Sequence, residues 1–112
     1  MAEAFILDRA SILERLGDDE EIYSMMVDMY LDDVGNNCSA LVAAFESGDA
    51  SVLQREAHTI KGLLATFSDD AGAADAMRLE SQAKQGNLAG LGDAVASLQH
   101  RLREVATALS VR

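Results

Sequence analysis

His58 and Lys61 stand three residues apart in AHTIKG, residues 57–62, inside a segment, LQREAHTIKGLLATF, that otherwise reads as one helix. An imidazole with an unperturbed pKa of about 6.5 is partly neutral near neutral pH, so an exposed ring nitrogen can act as a nucleophile and accept a phosphoryl group. Lys61, on the next turn, supplies a cation where the added negative charge would need a partner. Gly62 weakens a helix by about 1 kcal/mol relative to alanine. Together with Ala65 it leaves the backbone bare beside the ring, which gives another protein's active site room to approach. On spacing alone, a solvated surface histidine accounts for the same residues.

Helical geometry sets which of these residues share a face. Leu53, Ala57, Ile60, Leu64 and Phe67 fall on one stripe, the natural core face. His58 points roughly 140° away from the centre of that stripe and is expected in solvent. Gln54 lies one turn before it on the outer surface, and Lys61, Gly62 and Ala65 lie in the turns after.

The elements that must hold this face are legible from stop and start signals. Asp8 can cap a short helix, RASILERL, that stops at Gly17. Asp18 or Asp19 then opens a longer helix whose first turn carries Glu20 and Glu21, favourable at its positive end. This segment meets Gly35-Asn36-Asn37 and resumes as CSALVAAFES before Gly48. One long helix bent or interrupted near Gly35 is expected, or else two helices. Asp49 caps the helix that carries His58, which should end between Phe67 and Asp70. A further helix covers about residues 71–85 and stops at Gly86-Asn87, and the last runs from about Leu88 to Ser110. Nothing alternates with period two, and the connections are short, as between antiparallel neighbours. The expected fold is all-α, an antiparallel up-down four-helix bundle with a short additional N-terminal helix, formed by one domain over residues 1–112.

Composition agrees with that class and removes others. Apolar residues make up 49% of the chain but aromatics only 4%, and there is no Trp or Pro, so the interior must be built from aliphatic residues and Met. A formal charge of −10, from 19 acidic against 9 basic residues, repels phosphate backbones and anionic membranes. Neither nucleic acid nor membrane is an expected partner. The N-terminal MAEAFILDRA has no basic patch, and no apolar run approaches the ~20 residues needed to span a bilayer, so a cytoplasmic location is expected. Cys38, the single cysteine, has no basic neighbour to activate it and reads as a small half-buried hydrophobe.

Beyond spacing, AHTIKGLLATF resembles the signature of histidine-containing phosphotransfer (HPt) domains, in which an Ala-His-x-hydrophobic-Lys-Gly run carries the phosphorylated histidine. The resemblance extends from residue 5 to residue 109. DEEIYSMMVDMYLDDV and LVAAFESGDASVLQREAH are similar to the family's long helix and its Gly-Asp entry to the histidine helix, and AMRLESQAKQGNLAGL is similar to its Leu-Glu helix and closing turn. One departure is Ser68-Asp69-Asp70, where members often have Gly. It bears on the start of the next helix and leaves the site untouched.

The resemblance implies that His58 is the phosphoacceptor, Lys61 the electrostatic partner of the phosphoryl group, and Gly62 with Ala65 the clearance for docking. Some members hold the imidazole with a Gln from the following helix. The matching position here is Glu80, with Gln82 nearby but rotated roughly 200° from it. Lys84 matches a basic position near the histidine in some relatives. Gln54, Glu80 and Lys84 are thus supporting candidates, and an i,i+4 surface pair of Glu80 with Lys84 is the alternative. The implied function is a phosphorelay intermediate in two-component signalling, taking its phosphoryl group from a receiver phospho-aspartate and passing it to another receiver aspartate. The implied partners are response-regulator receiver domains, a hybrid histidine kinase, or both.

No nucleotide-binding glycine loop or Mg²⁺ cluster is present, so the chain is expected to need no cofactor and to have no kinase activity of its own, with Mg²⁺ supplied by the receiver. A monomer is expected, because one chain supplies all four bundle helices. Met1 and the lack of a linker at either end favour a free-standing protein. The competing reading is a helical adaptor that binds a receiver or kinase without chemistry. A metal-binding bundle using His58 and His100 is a third, set against the absence of an i,i+4 His pair or a Cys/His cluster. His100 otherwise reads as exposed on a basic solvated face beside Arg101. Met25, Met26 and Met29 read first as core filling, and an exposed subset of them with Ile6, Leu7 or Ile12 is the candidate docking patch. The acidic runs GDDEE and Asp32-Asp33 read as helix-start charge and solvated face.

Overall fold

In the computed structural model, which describes residues 4–111, the chain forms α1 (Arg9–Arg15), α2 (Glu20–Glu46), α3 (Ala50–Thr66), α4 (Asp70–Lys84) and α5 (Gly92–Ser110). Aspartate caps start four of them. Asp8, Asp19, Asp49 and Asp69 each accept a hydrogen bond from a backbone N–H of the first turn, satisfying donors that the helix itself cannot. Gly17 (φ 68°) and Gly48 (φ 71°) follow α1 and α2 in the left-handed region, which ends a helix without a Cβ clash.

The four long helices pack as a ring, α2 against α3 and α5, and α4 against α3 and α5, while α1 leans on α2. This is the four-helix bundle with a short N-terminal helix. At 1.5 Å per residue, the 27 residues of α2 span about 40 Å and account for most of the 43 Å long axis. The interior is aliphatic. Val27, Leu41, Leu53, Ile60, Leu64 and Leu102 are fully buried, and each such side chain contributes about 1.5–3 kcal/mol through removal from water. The stripe read from the sequence, Leu53, Ala57, Ile60, Leu64 and Phe67, is the core face of α3.

Three boundaries and burials differ from the sequence reading. α2 runs without interruption through Gly35. The buried Val27 and Tyr30 before the glycine and Cys38 and Leu41 after it anchor both halves in one core, and that burial exceeds the ~1 kcal/mol that one glycine costs. α5 starts at Gly92 and not at Leu88. Asn87 Oδ1 accepts from Ala89 N (3.1 Å), Leu91 N donates to Leu88 O (3.2 Å), and Gly90 has φ 82°, so these residues form a turn. Ile12 is buried and joins the core, whereas Met25 and Met29 are 59% and 62% exposed.

The turn between α3 and α4 is tied down from three sides. Arg101 of α5 pairs with Asp69, and Arg15 of α1 donates to Thr66 O (2.9 Å) and Ser68 Oγ (2.8 Å). Beneath it, the Tyr30 and Phe67 rings meet edge to face at 5.4 Å, and the Tyr30 hydroxyl donates to Leu102 O at 2.8 Å. These contacts fix the register of α3 against α4, the two helices that carry the site. Arg101, read from the sequence as part of a solvated face, is 6% exposed. Cys38 is fully buried, and that burial pushes its thiol pKa up, the opposite of what a reactive cysteine needs. Among the described residues, no helix is long and apolar enough to cross a membrane.

Candidate functional site

His58 lies near the middle of α3 with 65% of its side chain exposed. Its backbone neighbour Ala57 is fully buried, so the helix is anchored immediately beneath an imidazole that faces outward. Across the groove on α4, Glu80 reaches both chemically relevant residues of α3. Its Oε2 lies 3.0 Å from His58 Nδ1, and its Oε1 accepts from Lys61 Nζ at 3.1 Å. Leu79, the residue before it, is buried at 1% exposure and fixes the phase of α4.

The charge state of Glu80 decides the tautomer of the ring. Burial alone would push its carboxyl up, but hydrogen bonds from Lys61 and His58 outweigh that and hold it below the usual carboxylate range. An ionised carboxylate only accepts hydrogen bonds, so Nδ1 carries the proton and donates. The lone pair of the neutral ring is therefore on Nε2.

The surroundings leave that nitrogen accessible. Ser51, Gln54 and Arg55 of α3 line, with His58 and Glu80, a shallow depression of about 280 Å³. Gly62 and Ala65 are exposed on the following turns, and a Cβ added at Gly62 would meet nothing within 4 Å. Gly62 is thus not required by internal packing.

Of the residues singled out from the sequence, His58, Lys61 and Glu80 form one hydrogen-bonded set, with Gln54 beside it and Gly62 and Ala65 on the open flank. Lys84 is exposed, and the partner of Glu80 is Lys61 across the helix pair, not Lys84 along its own helix. Gln82 lines a different groove, between α4 and α5. Arg55 and Ser51 were not singled out. Their spacing of three and seven residues before His58 is the signal that puts them on its face. His100 is exposed on α5, and among the described residues no three His, Cys, Asp or Glu side chains gather in a metal-binding arrangement.

A second feature lies between α2 and α3. Met26, Met29, Tyr30, Leu63, Thr66 and Phe67 line a mainly apolar depression, with Asp33 also in its lining. Met25, at 59% exposure, stands one turn from Met29 on the outside of α2.

An outward histidine with its Nδ1 held by an acid, a lysine on the next turn and a glycine beside it, carried on a four-helix bundle, define a class. The Hpt domain family model matches residues 25–108, and the chain belongs to that family. Among solved structures, it is similar to histidine-containing phosphotransfer protein B (HptB) from Pseudomonas aeruginosa PAO1, with a TM-score of 0.83, 23% identity, and coverage of 96% of this chain and 94% of that one. It is also similar to the HPT domain of the Hpt sensor hybrid histidine kinase from Shewanella, with a TM-score of 0.78, 17% identity, and coverage of 93% and 90%. A comparison with curated proteins gave no match.

Proposed function

We propose that this protein is a phosphorelay intermediate: His58 Nε2 accepts a phosphoryl group from the phospho-aspartate of a receiver domain and later gives it to the aspartate of another. The observation that carries this reading is the hydrogen bond from His58 Nδ1 to Glu80 Oε2 at 3.0 Å, which supports an exposed neutral nucleophile at Nε2. Membership of the Hpt domain family supports it independently.

Phosphoryl transfer is helped chiefly by positioning and by charge compensation. This chain supplies the first through the buried anchoring of α3, which holds the ring at one place on the surface. For the second it offers Lys61, whose Nζ can exchange Glu80 for a phosphoryl oxygen. No cofactor is needed on this chain. The receiver brings the Mg²⁺ and the remaining positive groups, so the protein acts as a carrier without kinase activity of its own, working as a monomer in the cytoplasm.

Docking needs a surface as well as a nucleophile. The apolar depression beside Met29, with Met25 next to it and the bare turn at Gly62 and Ala65, is the surface we assign to the receiver. Exposed methionines suit a site that must fit more than one partner, because their side chains repack at little cost. The reading is tested by incubating the protein with a phosphorylated receiver. His58→Gln should fold and accept nothing, and binding without any transfer to the wild type would leave an adaptor in place of a carrier.

A further inference from the structure

Glu80 does more than fix a tautomer before reaction. We propose that its carboxylate keeps the proton on His58 Nδ1 after Nε2 has been phosphorylated, so that Glu80 is the positioning residue that sets how high in pH the phosphohistidine remains a competent donor. The inference rests on the phosphocarrier reading of His58 and adds a regulation of that site.

The electron bookkeeping shows why the proton matters. On acceptance, the Nε2 lone pair attacks phosphorus, the bond from phosphorus to the aspartate oxygen breaks, and its electron pair leaves with the carboxylate. Nδ1 keeps its proton throughout, so the ring becomes a phosphoimidazolium with one positive charge. On donation, an aspartate oxygen of the next receiver attacks phosphorus, the P–Nε2 bond breaks, and its electron pair returns to the ring. The leaving group is then neutral imidazole. Were Nδ1 to lose its proton to water first, the leaving group would be imidazolate, a far stronger base and a far poorer leaving group.

The charges that face the ring come from α3 and α4. Arg55 and Lys61 on α3 disfavour a cationic ring. Glu80 favours it and is the one of these groups bonded to Nδ1. An opposite charge at hydrogen-bond distance outweighs cations that are farther off or already paired, as Lys61 is with Glu80 before transfer and with a phosphoryl oxygen after it. A Gln at this position would keep an oxygen acceptor for Nδ1–H but lose the charge. Geometry and charge are therefore separable by one substitution.

The test uses the whole chain in a His100→Gln background, phosphorylated chemically with phosphoramidate so that labelling does not depend on a receiver. The ³¹P and ¹⁵N resonances of phospho-His58 are followed from neutral to alkaline pH in three proteins: that background, Glu80→Gln and Lys61→Gln. Glu80→Gln should lower the midpoint for loss of the Nδ1 proton by about one pH unit or more. Lys61→Gln, which removes a competing cation, should raise it. Donation to a receiver should fall off at correspondingly lower pH in Glu80→Gln. Equal midpoints in all three proteins, or shifts of the wrong sign, would overturn the proposal. If the midpoints move as expected but no receiver exchanges phosphoryl with the protein, the carrier reading fails and the proton-holding role stands.

Discussion

Arg101 and Asp69 form a two-pronged ion pair inside the bundle, Nε to Oδ2 at 2.8 Å and Nη2 to Oδ1 at 2.6 Å, with side chains 7% and 2% exposed. Asp69 also caps α4 by accepting from Gly72 N at 3.0 Å, and Arg101 reaches on to Glu104 at 3.3 Å, which in turn accepts from Phe5 N at 2.7 Å. One connected set of hydrogen bonds thus joins the α3–α4 turn, α5 and the N-terminal segment. Removing one partner leaves the other charge buried and uncompensated, which typically costs about 3–5 kcal/mol. Arg101→Met should lower stability by that amount, read from urea unfolding. A loss below ~1 kcal/mol would mean that the pair contributes little.

Gly62 and Gly72 should respond to alanine with opposite signs, although both are helical. A Cβ at Gly62 meets nothing within 4 Å, so Gly62→Ala should stabilise by up to about 1 kcal/mol in thermal or urea unfolding. At Gly72 the same Cβ would fall 2.0 Å from Asp69 Oδ2, and Gly72→Ala should destabilise by about 1–3 kcal/mol because the buried carboxylate cannot move without leaving Arg101.

The bareness of Gly62 is assigned to docking, and a larger side chain separates that role from stability. Gly62→Gln should retain or raise the unfolding midpoint and slow phosphoryl transfer from a receiver by about tenfold or more, an increase of ~1.4 kcal/mol in the barrier. Stopped transfer reactions on a seconds timescale would measure it, and unaltered kinetics would remove Gly62 from the docking surface.

Glu80 links the site to acid stability. Its folded-state carboxyl lies below the ordinary value of 4.5, so its contribution is fully present above that pH and is lost as pH falls through the lowered value. Glu80→Gln should therefore flatten the dependence of unfolding free energy on pH in the acid range below 4.5. Urea titrations at a series of acid pH values would show an unaltered slope if the carboxylate is not held by Lys61 and His58.

Much of this architecture is legible in the sequence because its signals are local. Asp8, Asp49, Gly48 and the Leu53 to Phe67 stripe act within a turn or two of their own positions, and the structure has them as caps, stops and core. The AHTIKG run is local too, so His58, Lys61 and Gly62 share one helical face as read. What escaped is set by pairs far apart in the chain. Arg101 reads as a solvated charge until Asp69, 32 residues earlier, is packed beside it. Glu80 has an equally good partner in Lys84 along its own helix, and only the packing of α3 on α4 selects Lys61 and His58. Gly35 signals a break that tertiary burial of α2 overrides. Met25 and Met29 match a helical period, yet period alone does not tell which side of α2 meets the core.

That exposed pair bears on recognition. Met29→Asp places a charge at the rim of the apolar depression without touching the core, so it should weaken receiver binding by about tenfold and leave the unfolding midpoint within experimental scatter. Isothermal titration with a receiver held in its unphosphorylated state separates the two effects. An unchanged Kd would place the docking surface elsewhere.

The most direct measurement is transfer of radiolabelled phosphoryl from a phosphorylated receiver to the wild-type protein and to His58→Gln, with the chemistry of the product examined. The account predicts label on the wild type alone, stable in base and lost in acid as a phosphohistidine is, and its return to a second receiver. Label on His58→Gln, or acid-stable label on the wild type, would contradict it.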